Sequence, residues 1–279
     1  TEPPRRRARR RLDIEHALRT ALDNDEFSLA YQPQVDLGRQ SVSGVEALLR
    51  WDHPALGTCT PDEFIEIAEA TGDIVAIGEW VLREACRQAA AWDAAGLVFG
   101  RMSVNVSAVQ LRDPGFAQRV LAACSATGWP AARLELEITE SALLLDTDAL
   151  WACFGVLRSA GVGLAVDDFG TGFSSLSYLS RFPVGRLKID RSFIAELATA
   201  DANGRAVAVT RAIIQLGTAL RMRVLAEGVE SRADEQLLRD YGCDEVQGYF
   251  YARPLPPREL VHWLQARAPA VTQPPLALA

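Results

Sequence analysis

The chain has 279 residues, of which 49% are hydrophobic and 23% are charged, a composition typical of a soluble globular protein. Its length suits one large α/β barrel or two smaller domains. The net charge is −7, and residues 1–11 carry six Arg and one Glu, a net of +5, so the remainder carries −12. Such an acidic body argues against a general nucleic-acid binder.

The five cysteines are scattered and form no CxxC pair, which favours reduced thiols over a disulfide framework. No apolar run is long enough to span a bilayer and no signal peptide is visible, so the sequence predicts a cytoplasmic location. We interpret residues 1–11 as a basic linker from an upstream part of the protein, which could anchor the full-length protein to a membrane. Residues 268–279, rich in Pro and Ala, are expected to form a disordered tail.

Apolar residues recur at helical spacing from Leu12 to Leu22 and predict an N-terminal helix. Alternating polar and apolar residues then predict two strands, at 27–35 and 42–51, joined by a turn at Gly38. Six further strands are predicted at 101–107, 134–139, 164–168, 186–190, 224–227 and 245–250. Helices are predicted at 61–69, 77–92, 116–125, 149–159, 206–220, 233–241 and 259–266.

Seven of these eight strands carry polar residues where they end, at positions 46, 105, 137, 167/168, 188, 227 and 247. These positions recur about every 33 residues, close to the length of a βα unit. The pattern predicts a (β/α)8 TIM-like barrel, a single domain over residues 12–267 that begins with the N-terminal helix. In such a barrel the carboxyl ends of the strands share one rim, where catalytic residues collect.

The composition of this rim indicates a site for hard divalent cations. It combines carboxylates with amide and ammonium groups, from Glu46, Asn105, Glu137, Asp167, Asp168, Lys188, Glu227 and Gln247. Oxygen ligands suit Mg²⁺, Mn²⁺ or Ca²⁺, and a chain with only three His residues is a poor candidate for zinc. Four or more carboxylates could hold two ions that activate a water for in-line attack at phosphorus.

The sequence leaves alternatives open for several of the inward-facing and rim residues. Strict alternation cannot turn both Asp167 and Asp168 inward, so one should lie on the strand and the other on the loop that follows. Lys188 could orient the water or offset charge on a phosphate, or it could form a structural salt bridge. Glu135 should point into the barrel below Glu137, with Arg186 as one candidate partner, whereas the roles of Glu135, Asp190 and Glu230 stay open.

Eight motifs along residues 12–265 occur in an order that resembles the EAL-domain family, the bacterial cyclic di-GMP phosphodiesterases. They are Tyr31-Gln-Pro33, Glu46-Ala-Leu48 with Leu49-Arg50, Asn105-Val-Ser107, Glu137-Ile-Thr-Glu140, Asp167-Asp-Phe-Gly-Thr-Gly172, Leu187-Lys-Ile-Asp-Arg191, Ala226-Glu-Gly-Val-Glu230 and Gln247-Gly-Tyr249. Each is weak alone, and together they are specific. The chain has Phe173 where a Tyr is common in that family.

The resemblance implies hydrolysis of cyclic di-GMP to linear pGpG with two Mg²⁺ or Mn²⁺ ions, and we expect Ca²⁺ to inhibit. It assigns metal binding to Glu46, Asn105, Glu137, Asp167, Asp168 and Glu227. It assigns catalysis to Lys188, Asp168, Glu46 and Gln247, and substrate binding to Gln32, Leu49 and Arg50. Glu140 would brace the loop after Asp168.

Other interpretations predict different features. A receptor that binds cyclic di-GMP without cleaving it would have lost a metal ligand or Lys188, and a glycerophosphodiesterase would use His residues that this rim lacks. A purely structural barrel would suffer repulsion between its rim carboxylates. Apolar residues in the loop 171–179, including Tyr178 and Leu179, predict a homodimer, and we expect an upstream regulatory or GGDEF-type domain in the full-length protein.

Overall fold

A computed structural model of the chain describes residues 4–145, 147–171, 179, 181–197 and 204–267. Within these residues the strands are β1 (Phe27–Asp36), β2 (Ser41–His53), β3 (Gly57–Cys59), β4 (Arg101–Val106), β5 (Leu134–Thr139), β6 (Gly163–Phe169), β7 (Arg186–Ile189), β8 (Arg223–Ala226) and β9 (Glu245–Val246). The α-helices are α1 (Pro4–Ala21), α2 (Pro61–Thr71), α3 (Ile74–Ala94), α4 (Ala108–Leu111), α5 (Phe116–Thr127), α6 (Asp148–Ser159), α7 (Arg191–Leu197), α8 (Arg205–Ala219), α9 (Arg232–Asp240) and α10 (Pro257–Arg267). Short 3₁₀ helices cover Ala131–Arg133 and Glu140–Leu145.

Eight of the described strands close into a barrel, which confirms the predicted TIM-like fold. The strands are arranged in the order β1, β9, β8, β7, β6, β5, β4 and β2, and β1 pairs with β2 to complete the circle. β3 adds to the outer end of β2 as an antiparallel hairpin. Helices cover the outside of the strands, and their apolar faces pack on the outward-facing strand residues in one continuous core.

The barrel departs from a strict (β/α)8 pattern at its first strand. β1 runs antiparallel to both β2 and β9, whereas the remaining barrel pairs are parallel. The reason is the short turn between β1 and β2, in which Asp36 accepts a hydrogen bond from the backbone N–H of Arg39 at 2.7 Å. A turn of this length can join only antiparallel strands, because a parallel pair needs a long crossover.

The clearest differences from the sequence prediction lie at three places, whereas most other ends shift by up to three residues. The first helix begins at Pro4 rather than Leu12, because the Arg-rich segment continues the same helix. A short strand that the sequence analysis does not predict, β3, follows β2 after the turn at residues 54–56. The last strand ends at Val246, because Gln247 and Phe250 bond to the backbone of Val229 and turn the chain out of the sheet. The five cysteines are all free and buried, and no helix among the described residues is long and apolar enough to cross a membrane.

A buried ionic cluster fills the lower part of the barrel, toward the amino ends of the strands. Its centre is Arg186, which is fully buried and contacts Glu135 at 2.9 Å and Glu245 at 2.6 Å. Arg186 also donates to the side-chain oxygen of Gln34 at 2.9 Å, and Arg101 reaches Glu135 at 3.2 Å. The buried carboxylates are therefore compensated by guanidinium groups from other strands of the barrel.

Removing the guanidinium of Arg186 should strongly destabilise the barrel. Arg186→Met would leave Glu135 and Glu245 buried without their closest counter-charge, and breaking a buried pair in this way costs about 3–5 kcal/mol. The measurement is the free energy of unfolding in urea. Arg87→Met removes an exposed pair with Glu84 and should change stability by less than about 1 kcal/mol. Equal losses in the two variants would contradict the structural role given to Arg186.

Candidate metal centre

The alternation of side chains along the strands places the predicted rim residues on the inner face of the barrel. Across the parallel pair β4 and β5, Asn105 lies opposite Glu137, and across the β1–β2 hairpin Gln32 lies opposite Glu46. Glu46, Glu137, Lys188 and Gln247 are buried inside the barrel, and Asp167 is buried at its rim. Residues far apart in the chain therefore converge above the lower ionic cluster.

Lys188 lies at the centre of this upper cluster. Its ammonium nitrogen is 2.5 Å from Glu137, 2.7 Å from Glu227, 3.1 Å from Asp167 and 3.7 Å from Glu46. Burial on its own would lower the pKa of Lys188, but the four carboxylates outweigh it and hold the pKa well above its ordinary value. Lys188 is thus a fixed positive charge that links four strands of the barrel.

Hydrogen bonds from two amide side chains hold the carboxylate of Glu46. Asn105 donates to one oxygen at 2.7 Å and Gln247 donates to the other at 2.5 Å. Burial would raise the pKa of Glu46, yet the charge of Lys188 and these two hydrogen bonds bring the pKa below its ordinary value. Glu46 is therefore held in its ionised form.

Gln32 supports this arrangement from the first strand. Its side-chain oxygen accepts a hydrogen bond from Gln247 at 3.0 Å, and its side-chain nitrogen donates to the backbone oxygen of Ala252 at 3.0 Å. Gln32 is buried, and it lines the smaller of the two cavities described below. The structure therefore gives Gln32 two partners within the protein, in addition to its place at the cavity wall.

The backbone at the end of β6 explains how two adjacent aspartates reach one site. Asp168 has a φ of 53°, in the left-handed region, and the pairing of β6 with β7 shifts register between Val166 and Phe169. This conformation breaks the alternation, and the N–H of Asp168 bonds to the carboxylate of Asp167 at 2.9 Å. One carboxylate oxygen from each of Asp167, Asp168 and Glu227 lies within 4.8 Å of the other two.

The upper cluster contains more carboxylates than the single positive charge of Lys188 can balance. Burial and the neighbouring acids raise the pKa of Glu137 well above its ordinary value. Burial, only partly opposed by Lys188, raises the pKa of Glu227 to about 8, and burial with the charge of Asp167 raises that of Asp168 to about 6. Hard oxygen donors with excess negative charge fit a divalent cation of the Mg²⁺ or Mn²⁺ type.

Glu140 lies beside the loop that follows Asp168. Its carboxylate accepts a hydrogen bond from the N–H of Gly170 at 3.1 Å, and Thr171 donates its hydroxyl to the backbone oxygen of Asp168 at 2.8 Å. Gly170 has a φ of 98°, which favours glycine. The rest of the predicted dimer loop, residues 172–178 with Phe173 and Tyr178, lies outside the described residues, and Leu179 is buried.

Two cavities open on either side of the acidic residues. The larger, of about 610 Å³, is bounded by α2 and α3 on one side and on the other by Asn105, Glu137, Asp167 and Asp168. The smaller, of about 270 Å³, is lined by Gln32, Glu46, Asp167, Glu227, Gln247 and Tyr249. Leu49 and Arg50 line the larger cavity, and the guanidinium of Arg50 donates to the backbone oxygen of Leu49 at 2.8 Å.

The three residues whose roles were left open occupy different places. Glu135 is paired with Arg186 in the lower ionic cluster, as one of the alternatives suggested. Asp190 accepts hydrogen bonds from the backbone and the hydroxyl of Ser192 at the start of α7. Glu230 lines the smaller cavity.

Two buried residues of these clusters were missed by the sequence prediction. Gln34 donates to Glu137 at 3.5 Å and accepts from Arg186, so it connects the upper and lower clusters. Glu245 completes the lower cluster. Both lie two residues from a predicted site residue, Gln32 or Gln247, and alternation along the strand could have identified them.

Comparisons with known proteins point to one family. The family model described as EAL domain matches residues 15–254 of this chain. The bifunctional diguanylate cyclase/cyclic di-GMP phosphodiesterase MucR of Pseudomonas aeruginosa is 43% identical over 254 residues, which cover 91% of this chain and 37% of that protein. The cyclic di-GMP phosphodiesterase PA2567 of the same organism is 41% identical over 250 residues, 89% of this chain and 42% of its own length.

A solved structure shares the fold. The PaMucR phosphodiesterase in complex with c-di-GMP superposes with a TM-score of 0.84 at 44% identity and covers 89% of this chain and 99% of that chain. This chain spans only about two fifths of the length of these two curated relatives.

The carboxylate site should bind Mg²⁺ or Mn²⁺ in the native state and raise the melting temperature. A ligand that binds only the folded protein stabilises it by about 2.7 kcal/mol at a hundredfold excess over its Kd. Asp168→Asn should lose most of this shift while it keeps the fold, because Asn tolerates a positive φ. Asp240→Asn, on the exposed end of α9, should respond like the wild type. An equal shift in Asp168→Asn, or none in the wild type, would count against this site.

Proposed function

Because this chain belongs to the EAL domain family, we propose that it hydrolyses cyclic di-GMP to linear pGpG. The observation that carries the proposal is the upper cluster itself, in which Lys188 is surrounded by Glu46, Glu137, Asp167 and Glu227 beside two cavities. The printed names of MucR and PA2567 describe cyclic di-GMP phosphodiesterases and support the same substrate.

Two Mg²⁺ or Mn²⁺ ions are the proposed cofactors. The residues that would hold them are Glu46, Asn105, Glu137, Asp167, Asp168 and Glu227. When bound, such ions lower the pKa of water and neutralise charge on the phosphate. We expect Ca²⁺ to inhibit, because it favours more ligands and longer bonds than Mg²⁺.

The side chains of the chain itself would orient the attacking water and the phosphate. Lys188 is a buried ammonium, so it would donate a hydrogen bond to the water and offset the negative charge that develops on phosphorus oxygens. Asp168, at the end of β6 and open to the larger cavity, would accept the proton of the water. Gln247 fixes one oxygen of Glu46 and would keep that carboxylate aimed at the reacting centre.

The substrate would lie across the two cavities, with its scissile phosphate near Asp167, which borders both. Arg50 would pair with phosphate, since a guanidinium provides several donors in a fixed plane. Leu49 and Gln32 would contact the nucleotide from opposite cavities. Glu140 would keep the loop after Asp168 in place through its bond to Gly170.

A receptor that binds cyclic di-GMP without cleaving it is the alternative function. Such a protein needs the cavities but neither the metal ligands nor Lys188. This chain retains a carboxylate or amide at each of the six proposed ligand positions and retains Lys188. We therefore favour hydrolysis, and a turnover assay that follows cyclic and linear dinucleotide by chromatography distinguishes the two functions.

The organisation of the whole protein is part of this proposal. We place the phosphodiesterase barrel at residues 12–267, with a basic segment at 1–11 and a tail at 268–279. The larger size of the curated relatives supports an upstream regulatory or GGDEF-type domain, and the free cysteines support a reducing, cytoplasmic setting. The homodimer stays a prediction, because the loop that suggested it lies mostly outside the described residues.

Loss of the Glu46 carboxylate should abolish turnover while the barrel stays folded. In Glu46→Ala we expect kcat/KM for cyclic di-GMP to fall by more than roughly thirtyfold, the equivalent of about 2 kcal/mol, because a ligand of the cation and an anchor of the cluster are both removed. Circular dichroism checks the fold, and Glu79→Ala on the exposed face of α3 is the matched control. A folded Glu46→Ala protein with more than about a tenth of the wild-type rate would sink this role.

Replacing Lys188 should reduce the rate more than substrate affinity. In Lys188→Met we expect kcat to fall by roughly a hundredfold or more with a Kd for cyclic di-GMP within about threefold of the wild type, because the ammonium acts on charge that develops in the transition state. Single-turnover kinetics give the rate and equilibrium titration gives the Kd, both at saturating Mg²⁺, and circular dichroism checks that the barrel stays folded without the buried ammonium. If both change by the same factor, Lys188 is a ground-state contact to the substrate.

A further inference from the structure

A bidentate ion pair joins α1 to α2 on the outside of the barrel. Arg10 of α1 donates to the two carboxylate oxygens of Glu63 at 2.6 and 3.3 Å, and a third contact reaches the backbone oxygen of Leu56 at 3.4 Å. Each side chain of the pair is one third exposed. A guanidinium bound by two oxygens in this way is more directional than a single-contact surface pair.

Glu63 has a second partner, the start of α2. Its carboxylate accepts a hydrogen bond from the N–H of Thr60 at 2.9 Å and closes a capping box. The hydrogen bond from Arg10 lowers the pKa of Glu63, and the bonds from Thr60 lower it further. Burial raises this pKa but is outweighed, so the pKa falls to about 2. Arg10 therefore holds the residue that fixes where α2 begins.

α2 is one wall of the larger cavity. Asp62, Ile65, Glu66 and Glu69 line the cavity opposite the proposed metal ligands. At the other end of α2, Glu69 accepts a hydrogen bond from the hydroxyl of Ser107 at 2.5 Å, two residues beyond Asn105 on β4. The wall is thus attached to the rim at its carboxyl end and to α1 at its amino end.

α1 is itself divided into two parts. Its second half is anchored in the core by Ile14, Ala17, Leu18 and Ala21. Its first half reaches α2 through charged contacts, of which the pair Arg11–Glu66 is long, at 3.6 Å, and exposed. The buried side chains of Phe64, Ile67 and Ala68 hold α2 in the core, and the Arg10–Glu63 pair is the shorter of these two charged contacts to α1.

We propose that Arg10 is a positioning residue that acts through Glu63 to hold α2 against the larger cavity and thereby sets the affinity for the substrate. The inference rests on the proposed function, since the cavity is taken as the cyclic di-GMP site. It connects the basic first half of α1 with substrate binding, so displacement of this helix changes KM. The metal ligands lie on the opposite wall and are unaffected.

The test compares Arg10→Met with Arg19→Met, which removes an exposed pair within α1, Arg19–Glu15 at 3.5 Å. For Arg10→Met we expect KM to rise roughly five- to tenfold while kcat stays within about twofold, because substrate binding is weakened and the reacting groups are untouched. Arg10→Lys keeps the charge but loses the planar fork, so its KM should be intermediate. The Mg²⁺ affinity of both Arg10→Met and Arg19→Met should match the wild type. The kinetic constants of Arg19→Met should match the wild type as well.

Three results would overturn the inference. The first is an unchanged KM in Arg10→Met when the wild type is active, which would leave the proposed function intact. The second is an equal rise of KM in Arg19→Met, which would indicate a general effect of charge on α1. The third is a wild type that neither binds nor cleaves cyclic di-GMP, in which case the proposed function fails as well. A merely structural role would lower the melting temperature without moving KM.

Discussion

The architecture of the upper barrel depends on one buried ammonium group. Lys188 contacts carboxylates from β2, β5, β6 and the end of β8, and without a cation at this point their charges would repel one another at short range. An ammonium is a compact charge that several acids can share, whereas the planar guanidinium of an Arg would prefer a fixed pair of oxygens. The type of residue at this position therefore suits a ring of acids.

In the lower cluster, Arg186 balances the charges of the buried carboxylates. It provides a fork for Glu135 and Glu245 and a further donor for Gln34, which reaches up to Glu137. Because Lys188 lies two residues after Arg186 on the same strand, β7 provides the cation of each layer. Arg186, Glu135 and Glu245 of the lower layer are buried and paired with one another, whereas the upper layer opens to the two cavities that border the rim carboxylates.

Much of this arrangement could be predicted from the sequence, because alternation along a strand fixes which residues point inward. The spacing of Glu46, Asn105, Glu137 and Lys188 was enough to predict a barrel with an acidic rim. Distances across the barrel were not predictable, because they depend on the stagger between strands that are not neighbours. The antiparallel direction of β1 relative to β2 follows from the short turn that the sequence shows at Gly38, whereas the pairing of Arg10 with Glu63 is a tertiary contact that no local pattern encodes.

The left-handed conformation of Asp168 shows how local strain can serve the site. A non-glycine residue with φ of 53° is held in a sparsely populated region. Here the N–H of Asp168 donates to Asp167, and the backbone oxygen of Asp168 accepts a hydrogen bond from the hydroxyl of Thr171. This conformation places a second carboxylate at a strand end where alternation allows only one. Asp167 and Glu227, which also contact Lys188, are members of the three-carboxylate group that suits a divalent ion. A divalent ion held by this group would share these carboxylates with Lys188, so stronger contacts to the lysine would weaken the binding of the ion.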